Sequence, residues 1–379
     1  MPSESPEAIL ESPALGAEMV DDYRSIFLAG LPMLDVRAPI EFGRGAFPGA
    51  VNLPLLTDIE RQKVGTAYKQ HGQAAAIGLG HRLVGGATRE ARVLAWTEFV
   101  RAHPGGVLYC FRGGLRSALA AQWLRTDAGL HYPRVRGGYK AIRQFLMQEI
   151  EDAIRSCRLV LLSGLTGTGK TEVIETRPDA IDLEGHANHR GSAFGKRATP
   201  QPSPIDFEHR IAIDLLRKRE AGMTRFVLED EGRSVGSCGL PLPLREAMLQ
   251  LPVVWLEDRF EARVDRILRD YVSRLCAEFV AQAGEEAGFD AFGARLHASL
   301  AAMTKRLGAE RSGRVDSLIA EALVLQRRTG SPERHRAWIE MLLNEYYDPM
   351  YQYQRSRKAD RIVFTGDRDA VLGWLEATG

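Results

Sequence analysis

The chain has 379 residues, 45% of them hydrophobic and 26% charged, the composition of a globular protein with room for two domains or one domain with a large insertion. A formal charge of +1 does not announce a nucleic-acid binder, so an RNA ligand would need a locally basic face. Four cysteines (Cys110, Cys157, Cys238, Cys276) lie far apart with no CxxC or Cys/His metal spacing, which suits free thiols in a reducing compartment. The early acids Glu4, Glu7, Glu11, Glu18, Asp21 and Asp22 are wrong for a signal or transit peptide. No apolar run approaches the ~20 residues of a membrane span, and the expectation is a cytoplasmic protein.

In chain order, Met33–Val36 and Gly106–Tyr109 read as strands, and Ser117–Leu124 has helical composition. Strands alternating with helices predict an α/β architecture with a largely parallel sheet. Residues 56–103, rich in Gly and Ala around 72–87, are too long for a plain loop and predict an insertion with helical stretches. The helix Ala141–Arg155 bridges the halves, and a second α/β unit begins at the strand Arg158–Leu162. Phe226–Leu228, Val253–Leu256 and Arg361–Phe364 supply further strands, and residues 259–347 are almost entirely helical and charged. The expected division is residues 1–149 and 150–379.

The sequence Cys110-Phe-Arg112-Gly113-Gly114-Leu-Arg116-Ser117 directly follows a strand and opens a helix. There, successive backbone N–H groups can converge on an anion, helped by the positive end of the helix. Cys110 in that setting is a candidate nucleophile. The two glycines let the backbone curl, and Arg112 and Arg116 supply charge. The plainer reading is a small buried residue at a strand end.

Gly164-Leu-Thr-Gly167-Thr168-Gly169-Lys170-Thr171 fits G-x-x-x-x-G-K-[ST] after a strand and before a helix-competent segment, which predicts a phosphate-binding loop. Its backbone would wrap a di- or triphosphate, Lys170 would supply charge and Thr171 could hold magnesium. Asp230 or Glu231, at the end of the 226–228 strand, could act through the same ion, with Arg233 supplying a nearby cation. The polar run around Glu184, His186, Asn188, His189 and Arg190 reads either as a binding loop or as a solvated surface loop. A resident metal site is poorly supported there.

Arg259, Arg263, Arg266 and Arg269 recur at helical spacing, with Tyr346, Tyr347, Tyr351 and Tyr353 further on. The pattern suits RNA, with bases stacking on the tyrosines, about as well as it suits a solvated helix face laced with Glu261, Asp265 and Asp270.

Leu34-Asp-Val-Arg37, Glu41-Phe42, Pro48-Gly-Ala-Val-Asn-Leu-Pro54, the Cys110 loop and Arg136-Gly-Gly-Tyr139 resemble a rhodanese domain over about residues 15–145. The resemblance departs in two places: Ala46 stands where rhodaneses carry a histidine, and Arg116 is six residues after Cys110 instead of five. That spacing is similar to the C-x5-R loop of cysteine phosphatases, so a phosphatase stays an alternative. It also suits a phosphate-bearing donor such as selenophosphate.

A rhodanese-like unit followed by a P-loop unit is narrower than either alone. With Glu184–Ser192, Glu229–Ser234 and Tyr346–Tyr351, the chain resembles the tRNA 2-selenouridine synthase family. The resemblance implies S-geranylation of a wobble 2-thiouridine by geranyl diphosphate, then replacement of the geranylthio group by selenium from selenophosphate. Cys110 is then expected to carry selenium after attacking selenophosphate, with phosphate departing into the loop amides and Arg116. The P-loop would hold the diphosphate, no tightly bound cofactor is expected, and tRNA is the macromolecular partner. A rhodanese-type sulfurtransferase or tRNA thiolase, a P-loop kinase or ATPase, and a non-catalytic RNA scaffold are the competing readings.

Overall fold

A computed structural model describes residues 18–378; the acids Glu4, Glu7 and Glu11 lie outside them. The fold is α/β, with two five-stranded parallel sheets. The chain forms two compact units, one comprising residues up to Glu149 with Glu208–Arg217, the other Ile150–Phe207 with Lys218 onward.

In the first unit, strands β1 (Met19–Val20), β2 (Met33–Asp35), β3 (Ala50–Asn52), β4 (Val107–Tyr109) and β5 (Arg134–Val135) are ordered β1-β5-β4-β2-β3. β2 and β4 are fully buried, as continuous apolar strands of a parallel sheet are when both faces are covered. Between β3 and β4 lie two helices, Asp58–Leu83 and Ala87–Ala102. The first starts at a capping box in which Thr57 and Glu60 satisfy each other's backbone N–H. It is interrupted at Gly72, whose φ of 81° breaks the helical path. Trp96 of the second helix packs into a core with Leu34, Leu108, Trp123 and Leu124. Glu208–Arg217 belongs to this unit through definite contacts: His209 Nδ1 meets Ala46 O at 2.8 Å, Arg143 pairs with Glu208 at 2.5 Å, and Arg217 donates to Phe27 O.

The helix Gly138–Ser156 buries Ile142, Leu146, Ile150 and Ala153, a single apolar stripe. The second unit holds β6 (Arg158–Gly164), β7 (Ala180–Ile181), β8 (Arg225–Glu229), the antiparallel pair β9 (Ser234–Val235) and β10 (Cys238–Gly239), β11 (Val253–Leu256) and β12 (Ile362–Gly366). Its sheet order is β12-β11-β6-β8-β7. Val160, Leu162, Val227, Val254 and Leu256 form the sheet core with Val371 and Leu375 of the last helix.

The helical region from Phe260 to Ser356 has a core of its own, including Leu296, Leu300, Ile319, Trp338 and Leu342. Two of its turns are π-helical, Leu268–Ser273 and Leu343–Tyr347. Among the described residues no helix is long and apolar enough to cross a membrane. In each sheet the middle strand leads into a glycine-rich loop and then a helix: β4 into the Cys110 loop, β6 into the P-loop. The crevice beyond the carboxyl ends of such strands is where open α/β sheets bind ligands.

Candidate active site

Cys110 is 3% exposed, and its thiol donates to Ser117 Oγ at 3.3 Å. Ser117 in turn donates to Gly114 O at 2.9 Å. Tyr139 N and Lys140 N donate to Cys110 O and Phe111 O, binding the loop to the turn that follows β5. Glycine is required in that turn. A Cβ on Gly138 (φ 60°) would sit 2.2 Å from Cys110 O, and one on Gly113 (φ 64°) would sit 2.8 Å from Gly137 N. Arg112 and Gly114 are exposed and Gly113 is buried.

Arg116 is gripped by Glu41, Nη1 to Oε2 at 2.5 Å and Nη2 to Oε1 at 3.2 Å. Burial works to raise the Glu41 pKa, but the Arg116 guanidinium holds it below its usual value. A guanidinium has five N–H donors, so two spent on Glu41 fix its plane and leave others for an anion. Deeper in the unit, Arg37 is 1% exposed, bonded to Asp35 at 2.7 Å and stacked 3.8 Å above the Tyr139 ring. It ties the end of β2 to the Gly137–Tyr139 turn.

In the second unit the P-loop curls through Gly164, Gly167 (φ 82°) and Gly169 (φ 87°). A Cβ on Gly164 would approach Leu256 O to 2.5 Å. Thr168 is 3% exposed and caps the turn by donating to Leu165 O at 3.0 Å. Lys170 Nζ reaches back to Gly164 O and Leu165 O at 3.1 and 3.2 Å, so its ammonium lies across the loop mouth. Burial lowers the Lys170 pKa, against the pull of Glu184, Glu231, Glu229 and Asp230.

Those acids are the surprise of the site. Glu184, near the start of the short helix Leu183–His186, is pushed up to about 8 by burial and then by Glu231. Burial also raises Glu231 and, well above its usual range, Glu229 at the end of β8. Glu229 Oε2 accepts from Glu184 N at 2.9 Å, while its Oε1 is buried with no partner. Of the three side chains anticipated around magnesium, Thr171 and Asp230 are engaged by neighbours, while Glu231 is one of the raised carboxyls. Thr171 Oγ1 donates to Glu184 Oε2 at 3.3 Å, and Asp230 is held by Ser163 at 2.6 Å and Lys358 at 2.5 Å. Among the described residues no group of three or more His, Cys, Asp or Glu is arranged to hold a metal ion.

The polar run after β7 is built into the unit. Asn188 (φ 51°) donates to Thr199 Oγ1 and Pro200 O, and Arg190 pairs with Glu278 at 2.9 Å. His189 is 4% exposed, and burial lowers its pKa to about 4, leaving a neutral ring. His186 is half-buried, and Arg233 is exposed in the turn before β9.

The arginine stripe divides: Arg259 is exposed to solvent, whereas Arg263, Arg266 and Arg269 are engaged within the unit. Arg263, 3% exposed, donates to Thr166 O of the P-loop at 2.9 Å and pairs with Asp348. Arg266 donates to Gly167 O at 2.5 Å and pairs with Asp258 and Glu172, and Arg269 pairs with Glu172 and Asp270. Arg263 and Arg266 thus meet the P-loop backbone, and Arg269 meets the helix that follows it through Glu172. The tyrosines divide too. Tyr347 is buried, Tyr346 and Tyr351 pack against the helical core, and Tyr353 is exposed at 64%. Of the four, only Tyr353 has a ring free to stack on a base.

Beside the P-loop the helical region forms a partly open cleft whose rim includes Thr166. No spacing in the sequence pointed to it.

A family model described as the tRNA 2-selenouridine synthase AAA domain matches residues 157–379. A protein named tRNA 2-selenouridine synthase from Azotobacter vinelandii is 64% identical over 354 residues, 93% of this chain and 96% of its own. The chain belongs to the tRNA 2-selenouridine synthase family. Other members, from Pseudomonas fluorescens and Pseudomonas putida, are 62% and 60% identical over 95% and 94% of this chain and 98% and 96% of theirs. Because the likeness to these members runs nearly end to end, the Cys110 loop and the P-loop are parts of one family architecture.

Proposed function

We propose that this chain carries out the reaction its family is named for, making 2-selenouridine in tRNA by two chemical steps with separate cradles. In the first, the thiocarbonyl sulfur of 2-thiouridine attacks C1 of geranyl diphosphate. The C–O bond breaks, diphosphate leaves and the base loses its N3 proton. Lys170 and the P-loop amides neutralise the departing diphosphate, the electrostatic help an alkyl transfer needs.

In the second, selenium from selenophosphate is carried on Cys110. Loading breaks the Se–P bond and forms S–Se; with phosphate leaving, two electrons must be accepted by a small disulfide. The terminal selenium then attacks C2 of the base, and geranylthiol departs. A thiol cleaves the remaining S–Se bond, returning the two electrons and releasing 2-selenouridine. Phosphate is accommodated by the loop amides and by the Arg116 donors that Glu41 leaves free.

The observation that carries this reading is the loop at Cys110. A candidate nucleophile heads a glycine-built loop suited to an anion, with an arginine positioned by a half-buried carboxylate. A scaffold protein would need none of these.

The deciding experiment mixes purified protein with 2-thiouridine tRNA, geranyl diphosphate, selenophosphate and a thiol/disulfide buffer, and reads nucleosides by mass spectrometry. Wild type should yield 2-selenouridine and Cys110→Ala should stop at the geranylated base. If neither protein alters the tRNA, the proposal fails. Sulfur transfer from thiosulfate by the wild type would then place the chain among sulfurtransferases.

A further inference from the structure

The cleft beside the P-loop has walls of Phe194, Ile267, Trp338, Ile339, Leu342 and Leu343. Phe194 and Trp338 stack with centroids 5.2 Å apart, forming a flat aromatic wall. Two tyrosines also face it, and both hydroxyls are already used: Tyr271 donates to Arg190 O at 2.7 Å and Tyr347 to Met303 Sδ at 3.7 Å. That leaves Thr166 and Ser192 as the polar side chains at its rim, and Ser192 Oγ already accepts from Phe194 N. A nucleoside base placed here would leave its hydrogen-bonding edge unpaired, which is costly in a buried site. An apolar chain would lose nothing.

The cleft is also tied to the phosphate cradle. Thr166 belongs to both, and Arg263 holds its carbonyl oxygen. Tyr271 lies in one π-helical turn, and Leu343 and Tyr347 lie in the other. Such turns are frequent at functional sites, and here both bring side chains to the same hollow.

We infer that this cleft is the seat of the isoprenoid chain of the diphosphate held by the P-loop, and that its walls set the chain length accepted. The inference rests on the proposed binding of a prenyl diphosphate at the P-loop and adds the residues that select the prenyl group.

Calorimetric titration of the full chain with geranyl diphosphate, farnesyl diphosphate and inorganic pyrophosphate tests this directly. Ile339→Trp, which fills the cleft, should weaken geranyl diphosphate binding by roughly tenfold or more, a difference calorimetry resolves, while pyrophosphate binds as to wild type. Leu342→Ala, which enlarges it, should shift preference toward farnesyl diphosphate by roughly tenfold, the scale expected when a hydrophobic pocket changes size. Unchanged geranyl diphosphate binding by Ile339→Trp would overturn the inference, as would a wild type that binds geranyl diphosphate no tighter than pyrophosphate. If Ile339→Trp loses pyrophosphate as well, its fold has suffered and Leu342→Ala decides, an unshifted preference counting against the cleft. A wild type that binds neither pyrophosphate nor geranyl diphosphate would instead remove the P-loop assignment beneath the inference.

Discussion

The two glycine loops occupy the same place in their respective sheets, after the middle strand, yet they manage charge in opposite ways. Around Cys110 the one carboxylate in contact with the arginine, Glu41, is ionised and spent on holding Arg116. Around Lys170 three glutamates crowd the cation, all raised by burial. If the second loop holds a diphosphate, as proposed, these carboxyl groups oppose it once they ionise. The first loop is thus furnished with a fixed cation, the second with carboxyl groups of which Glu184 releases its proton near pH 8.

The largest effect should come from separating the cradles chemically. Cys110→Ala should lower selenium incorporation by on the order of 10³-fold, as loss of a nucleophile does, while geranylation proceeds normally in the same nucleoside assay. Lys170→Ala should do the reverse. Geranylation should fall by on the order of 10²-fold, as when one charge-stabilising donor is removed, and tRNA already geranylated should be selenated at the wild-type rate. Equal damage to both steps by either variant would merge the two sites into one.

The proton supply gives the next prediction. As pH rises through about 8, Glu184 ionises, so pyrophosphate affinity should drop by roughly tenfold between pH 7 and pH 9, a modest electrostatic penalty of about 1.4 kcal/mol. Glu184→Gln should flatten the profile, and a profile unchanged by that variant would clear Glu184 of the role. The same group makes stability pH-dependent. The unfolded chain releases this proton near 4.5 while the folded chain keeps it to about 8, so stability should decline across that window and level off above it. Denaturant midpoints measured at several pH values, with and without Glu184→Gln, check the sign.

The smallest effect expected is on RNA. Because Arg266 serves the P-loop, Arg266→Ala should weaken pyrophosphate binding yet leave the salt dependence of tRNA affinity unchanged, whereas a lost phosphate contact would lower that slope by about 1.

Much of this was legible in the sequence, for identifiable reasons. Each cradle is a local object, a strand, glycines and a cation within about ten residues, so its spacing survives in one dimension. The strands at Met33, Val107, Arg158, Phe226, Val253 and Ile362 were visible as buried apolar runs. β1, β5 and β7 were not, because two residues carry no periodicity. The cleft was illegible because Thr166, Phe194, Ile267 and Trp338 come from four distant segments. The arginines were ambiguous because a helix shows which residues share a side, not what that side meets. His209 gave no hint that it would meet Ala46 O, 163 residues away. Glu184 and Glu231 were legible as candidate site residues, but their burial together with Glu229 was not, since burial cannot be read from composition.

Arg263 and Arg266 hold the carbonyl oxygens of Thr166 and Gly167, so the helical region grips the phosphate loop by its backbone. Anything that settles the helices also settles the loop, and thermodynamic reciprocity requires the converse. On the proposed reading, head and tail of a prenyl diphosphate should therefore bind as one event: pyrophosphate alone would leave the helices unrewarded, geraniol alone would leave the loop empty, and the intact molecule should bind better than the two fragments added together.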